Sequence, residues 1–313
     1  MNNNALVAQD DSFGARFGYA RSRLAGAQKS NASTPAYLRF VNRKAGGLLA
    51  AAGYALRLSP TQVTVMSSAA SFSAIAVLIL RDSSALTGIV VSVLLLLGYA
   101  FDSADGQLAR VRGGGSKAGE WLDHVADIAK ISSLHSAVAI AMLRYFELDS
   151  LLWLALPVIF LVANVTQFFG MMLRDKLTAA PLAQSAQPAQ SAQSAQSAQP
   201  AQSAQSAQSA TAGSSSLLVA FALQPLDHGS VALAFLVLGA HTLFLWAYGF
   251  LALCTALFAV RSLTKAYRRL LRADSGPVDP SDAASAGAEP AGVSGTDAAP
   301  AAGAAFSPAS RLP

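Results

Sequence analysis

Hydrophobic residues gather in six runs along the chain, at 63–80, 85–100, 131–143, 151–172, 231–239 and 243–260. A helix needs about 20 residues to cross a bilayer, so the shorter runs must extend into less apolar sequence. The second is predicted to continue through an acidic stretch that begins at Asp102. The third is predicted to begin near Ser116. The fifth starts either at Leu217, with a bend at Pro225, or at Asp227 acting as an N-cap. Ahead of the first run, Ser59-Pro60 reads as a helix start, with Ser as N-cap and Pro at the first helical position. Residues 36–58 mix Tyr37, Phe40 and Leu48 with Arg39, Arg43 and Lys44, the pattern of a helix lying on a membrane surface. The expected fold is an all-α integral membrane protein with six transmembrane helices plus an N-terminal amphipathic juxtamembrane helix.

The membrane domain is expected over 35–272. Residues 1–34 are mostly polar and small and are expected to be disordered. So are 179–214, where 183–210 repeats Ala-Gln-Ser or Ala-Gln-Pro triplets without one large apolar side chain. Such a tract cannot offset the entropy of ordering. The tail 273–313, rich in Ala, Pro, Gly and Ser, reads the same way.

Composition agrees with a membrane chain. Of the 313 residues, 53% are hydrophobic and 12% charged, against about 25% charged in a soluble domain. With six crossings, fourteen Lys and Arg flank the spans on the side of the termini, and only Arg81 and Arg144 on the other. That asymmetry places the termini and the acidic stretch in the cytoplasm. The single cysteine, Cys254, sits in an apolar run and excludes an internal disulfide. The N-terminal residues lack the apolar core and cleavage site of a signal peptide.

Candidate chemistry concentrates at 102–127. Asp102 and Asp105 are three apart; Asp123 and Asp127 are four apart, with Gly119 one turn earlier. Gly113–Gly115 form a turn between them. Two helices can thus pack side by side and present two carboxylates each. Gly106, Ala109 and Gly119 are small, which lets backbones approach and leaves room for a ligand. Four carboxylates repel unless cations neutralise them, and oxygen-rich sites suit Mg²⁺ or Mn²⁺. Arg110 beside them offers a guanidinium suited to phosphate. The combination describes a divalent-metal, pyrophosphate-binding site. Acidic residues in membrane helices also serve as structural ion pairs or ion pathways, so an ion-conducting or scaffolding protein is the non-enzyme alternative.

Asp102, Asp105-Gly106, Ala109-Arg110, Gly119, Asp123 and Asp127 match D-x2-D-G-x2-A-R-x8-G-x3-D-x3-D at every position. The chain therefore resembles the CDP-alcohol phosphatidyltransferase (CDP-alcohol phosphotransferase) family. The resemblance implies a transferase of phospholipid biosynthesis. It would move a substituted phosphate from a CDP-linked donor, CDP-diacylglycerol in most bacterial members, to an alcohol, releasing CMP. It implies metal-binding by Asp102, Asp105 and Asp123, with Asp127 sharing an ion, and Mg²⁺ or Mn²⁺ as cofactor. Gly106, Ala109 and Arg110 would line the cytidine site. Ser116 would either join them or simply cap a helix. Thr64 matches part of a family pattern that lacks its Asn here. Asp127 is the general-base candidate. A phosphorylated acceptor would draw on Lys117, Lys130, Arg174 or Arg261, each of which reads first as a plain juxtamembrane anchor.

Glu120 and His124 complete a G-E-x-x-D-H form similar to the choline and ethanolamine phosphotransferases of the same family. That form implies the alternative of a soluble CDP-alcohol donor and a lipid acceptor. His124 would then activate the acceptor hydroxyl, or else orient Asp123. The other histidines, His135, His228 and His241, have no partner visible in sequence. A homodimer in the plasma membrane, with membrane lipid as partner and no nucleic acid, completes the expectation.

Overall fold

The computed structural model describes residues 12–26, 34–184 and 216–274. The chain divides into two units, Met1–Leu270 and Leu271–Pro313. The described part of the second is residues 271–274, the end of the last helix. Among the described residues every element is helical. In chain order they are α1 (Phe13–Gly26), a π-helical turn (Leu38–Asn42) leading into α2 (Arg43–Ala55), α3 (Pro60–Leu80), α4 (Ala85–Val111), α5 (Lys117–Tyr145), α6 (Ala155–Gln184), α7 (Ser216–Ala222), α8 (His228–Ala234) and α9 (His241–Asp274). Short 3₁₀ turns precede α6 and flank α8.

Among the described residues five segments are long and apolar enough to cross a membrane: Pro60–Leu80, Ala85–Val111, Lys117–Tyr145, Leu151–Thr178 and His241–Arg272. The hydropathy pattern predicts six. The fifth run is broken, with α7 ending before a 3₁₀ turn at Pro225 and α8 starting afresh behind Asp227. Proline interrupts the helical hydrogen bonds, and the Asp227 carboxylate caps α8 by accepting from the Gly229 N–H at 2.9 Å. Its other oxygen accepts from the Leu38 N–H at 2.9 Å, and Gln224 Oε1 accepts from the Tyr37 N–H at 2.7 Å. The break is therefore tied to the start of the helical segment that becomes α2.

The starts of the other spans follow the sequence. Ser59 accepts from the Gln62 N–H, and the Gln62 side chain accepts from the Ser59 N–H, a full capping box with Pro60 at the first helical position. Ser116 caps α5, as its position ahead of the third run predicts.

The structure departs from the predicted disorder of 1–34. Over Phe13–Gly26 the chain is helical, and Ala20 and Leu24 are buried against Ala50, Ala51, Leu108 and Val111. Phe13, Phe17, Ala20 and Leu24 fall at spacings of four, three and four, an apolar stripe hidden among Arg16, Arg21 and Arg23. Helix α6 continues to Gln184, into the segment expected to lack structure, and α9 to Asp274. The expectations for 1–11, 27–33, 185–215 and 275–313 lie outside the described residues.

The bundle buries small and hydroxyl residues beside a core of Phe160, Phe235, Phe244 and Tyr248, and it turns many other large apolar residues outward. Ser67, Ser71, Ser92 and Ala74 are buried, while Val65, Phe72, Val93, Leu97, Val162, Phe250 and Leu257 are exposed. Large apolar surface facing outward is the mark of a lipid-facing bundle rather than of a soluble one. Helices α3 and α4 approach closely, and Ser67 Oγ donates to the Gly98 carbonyl at 2.9 Å. A second close approach joins α4 to the turn after α8: a Cβ on Gly88 would run into the Phe235 carbonyl oxygen. Replacing Gly88 by Ala is therefore expected to destabilise the detergent-solubilised protein by about 1–3 kcal/mol, the usual cost of overpacking. A thermal unfolding midpoint unchanged from wild type would contradict this contact.

Candidate active site

The acidic residues lie where α4 ends and α5 begins. Helix α4 stops because Gly113 and Gly114 adopt φ of 92° and 137°, which only glycine reaches without strain. The Gly114 N–H closes the turn on the Ala109 carbonyl at 2.9 Å. Ser116 Oγ then accepts from the Gly119 N–H at 3.0 Å and starts α5. The expectation that α4 and α5 pack side by side is not met. Helix α3 packs along both, while α4 and α5 make little backbone contact with each other. A Cβ on Gly106 would have only the Arg110 Nη1 within contact distance, at 3.7 Å. The small residues therefore leave space between the two helices rather than closing it.

Into that space project all four aspartates. One carboxylate oxygen each from Asp102, Asp105 and Asp123 lie within 4.8 Å of one another. Ligand atoms of Asp123, His124 and Asp127 form a second such group, so Asp123 belongs to both. The first donor set is wholly oxygen, which fits Mg²⁺ or Mn²⁺. The second adds an imidazole, which Mn²⁺ accepts more readily than Mg²⁺. The residues present thus fit a divalent ion of the expected kind.

Asp102, Asp105 and Asp127 are held by specific partners. Asp105 is buried; its Oδ2 accepts the Thr64 hydroxyl at 2.7 Å and its Oδ1 the Gly106 N–H at 2.5 Å. Lys130 Nζ stands 2.6 Å from Asp102 Oδ1 and 2.8 Å from Asp127 Oδ1. It also reaches Ser67 Oγ at 3.4 Å. One ammonium therefore joins a carboxylate on α4 to one on α5. Arg110 is half-buried beside the cluster, and its Nε finds no acceptor among the described residues, which leaves it available to a phosphate oxygen.

The remaining predicted residues divide by location. Thr64 is buried and its hydroxyl is committed to Asp105, so it orients a carboxylate. Ser116 has its side chain on the Gly119 N–H as an N-cap. Of the cations proposed for an acceptor phosphate, Lys130 is engaged by Asp102 and Asp127. Lys117 and Arg261 are exposed, and Arg174 pairs with its neighbour Asp175 at 2.5 Å. His124 lies with Nε2 3.9 Å from Glu120 and meets the Phe168 ring edge-on, while Glu120 also reaches Lys176 at 3.4 Å.

A chamber continues from Asp102, Asp127 and Lys130 past His135, Asn164 and His228. Its inner polar residues were not identified from sequence as a group. His135 is buried and hydrogen-bonded on both ring nitrogens, to Tyr248 Oη at 2.5 Å and to Asn164 Nδ2 at 2.8 Å. One signal existed: Asp127, Ile131 and His135 recur at four-residue spacing, which puts His135 on the face of α5 that carries Asp127. Its partners lie 29 and 113 residues away and left no such trace.

A family model described as CDP-alcohol phosphatidyltransferase matches residues 57–223, more than half of the chain and all eight motif positions. The chain belongs to the CDP-alcohol phosphatidyltransferase family. Members are transferases of substituted phosphate groups, and membership implies phosphatidyl transfer from a CDP-alcohol to an alcohol acceptor in phospholipid biosynthesis. No curated protein matches the chain. For a family enzyme that uses a divalent ion, the Thr64–Asp105 hydrogen bond has a measurable consequence. Removing a group that orients a ligand typically weakens metal affinity 10–100-fold. Thr64→Val is expected to raise the half-saturating Mn²⁺ concentration by about that factor, and an unchanged metal titration would remove Thr64 from this role.

Proposed function

We propose that this chain transfers a phosphatidyl group from CDP-diacylglycerol to an alcohol, releasing CMP, with Mg²⁺ or Mn²⁺ as cofactor. The observation that carries this reading is the convergence of four aspartates from α4 and α5, with Arg110 beside them, in a space that neither helix fills. Asp102, Asp105 and Asp123 would hold one ion and Asp127 would share a second. Such ions neutralise a pyrophosphate and stabilise charge on a departing phosphate. Arg110 contributes a fixed positive charge to the same phosphates, and Gly106 and Ala109 leave room for the nucleotide. Asp127 is the general base. The acceptor oxygen forms the new bond to phosphorus, the bond from phosphorus to the CMP oxygen breaks, and the hydroxyl proton passes to the Asp127 carboxylate. Lys130 fixes the position of Asp127 through its 2.8 Å contact.

Exposed apolar residues beside the site support a lipid-linked donor. Trp121 and Val125 on α5, and Phe169 and Leu173 on α6, are exposed within a turn or two of the motif or of Phe168. Acyl chains entering from the bilayer would lie against them. The contact between Glu120 and His124 at 3.9 Å favours one second reading, a soluble CDP-alcohol donor and a lipid acceptor. In the bilayer the broken segment 216–237 completes a sixth crossing, α2 lies at the surface, and charge asymmetry puts both termini and the site in the cytoplasm. Homodimerisation rests on the family resemblance.

Purified protein in detergent is expected to release CMP from CDP-diacylglycerol and an alcohol only when Mg²⁺ or Mn²⁺ is present, and EDTA is expected to abolish it. Absence of metal-dependent CMP release with any donor, including CDP-choline and CDP-ethanolamine plus diacylglycerol, would overturn the transferase reading. Asp127→Asn is expected to lower kcat at least 100-fold while the protein still inserts and folds. Retained turnover would exclude Asp127 as the base. His124→Ala with little effect would leave His124 an orienting role and weaken the soluble-donor reading.

A further inference from the structure

We propose that the chamber below the carboxylates is the acceptor site and that it selects an uncharged alcohol carrying a second hydrogen-bonding group. This inference rests on the transferase reading and specifies its second substrate. The chamber opens on Asp127 and runs inward past His135. These residues are eight apart on α5, which at 1.5 Å per residue is about 12 Å of depth. An acceptor hydroxyl at Asp127 therefore has the rest of the molecule directed into the bundle.

That depth is lined mostly by apolar side chains, and the polar groups set among them include no Lys or Arg other than Lys130. Asn164 Nδ2 donates to His135 Nε2, which makes that nitrogen an acceptor and the ring neutral, with Nδ1–H donating to Tyr248 Oη. Asn164 lines the chamber and commits its Nδ2 to His135, which leaves its Oδ1 as the acceptor of that side chain. Thr255 is buried and lines the same chamber. His228 also lines the chamber, its ring tilted against Tyr99 with centroids 5.8 Å apart. A few polar groups set in a mostly apolar lining fix the orientation of a ligand through hydrogen bonds. Among the lining residues Lys130 is the one Lys or Arg, and Asp102 and Asp127 hold it. Lys117, Arg174 and Arg261 are not among them. Past the metal-holding carboxylates, the lining offers an acceptor phosphate or carboxylate no cation to pair with, so burying an anion there is costly. A hydroxyl or ester oxygen meets Asn164, Thr255 and His228 instead. The shared chemistry is found in a free polyol and in the glycerol backbone of a neutral lipid.

The test uses the full chain in detergent with Mn²⁺. Glycerol and myo-inositol, each against its phosphate ester, and serine are offered with CDP-diacylglycerol. Diacylglycerol is offered with CDP-choline. Uncharged acceptors are expected to exceed their phosphorylated counterparts by at least tenfold in kcat/KM. Asn164→Leu and Thr255→Val are each expected to raise the acceptor KM about tenfold, the worth of one hydrogen bond, with the CDP-donor KM unchanged. Turnover with diacylglycerol that responds to these variants supports the chamber with a lipid alcohol as its occupant. Preference for a phosphorylated acceptor or serine, or an acceptor KM indifferent to both variants, overturns the proposal while leaving the transferase reading intact. Binding of tritiated myo-inositol that is lost in Asn164→Leu, without CMP release from any pair, would do the reverse: keep the chamber and remove the transferase.

Discussion

Carboxylates in the interior of a membrane bundle are tolerated only against positive charge, and the contact of Lys130 with Asp102 and Asp127 meets that need from within the chain. The ammonium lies between α4 and α5, which otherwise touch little. It links two helices that the fold keeps apart, and it leaves Asp105 and Asp123 to be offset by other means. Thr64 and the Gly106 N–H serve Asp105. The rest of the acidic charge is what suits the site to divalent ions.

The separation of α4 and α5 depends in turn on α3. That helix packs along both of them. Serine and glycine let it approach α4 closely, as the Ser67–Gly98 hydrogen bond shows. Its N-terminus is fixed by a capping box and by Pro60. Helix α3 also delivers Thr64 to Asp105 and Ser67 to Lys130. The cleft is thus a consequence of packing around a third helix, and Gly106 lines an opening while Gly119 lies close to Thr61 of α3. The broken segment at 224–237 closes the far side, tied to the start of the π-helical turn through Asp227 and Gln224.

Much of this was legible in the chain. The Asp spacings, the glycine turn and the Ser caps are local patterns, and local patterns survive in sequence. The family signature added roles to the same eight positions. The N-terminal helix was missed because its net polarity hides a stripe of Phe13, Phe17, Ala20 and Leu24, whose value appears only when α2 and α4 cover it. Lys130 was visible as a cation near Asp127, but its contact with Asp102 crosses 28 residues. The partners of His135, on α6 and α9, are farther still.

The sequence by itself determined that this is a helical membrane chain with a carboxylate cluster suited to a CDP-alcohol, because hydropathy, helix period and motif spacing act over one or two turns. Only the tertiary structure decided that α4 and α5 stand apart, that Thr64 serves a carboxylate, and that a mostly apolar chamber holding a few neutral polar groups opens beneath Asp127. Those outcomes require residues distant in the chain to meet, and which of them meet is set by how helices pack around one another. No local pattern encodes that.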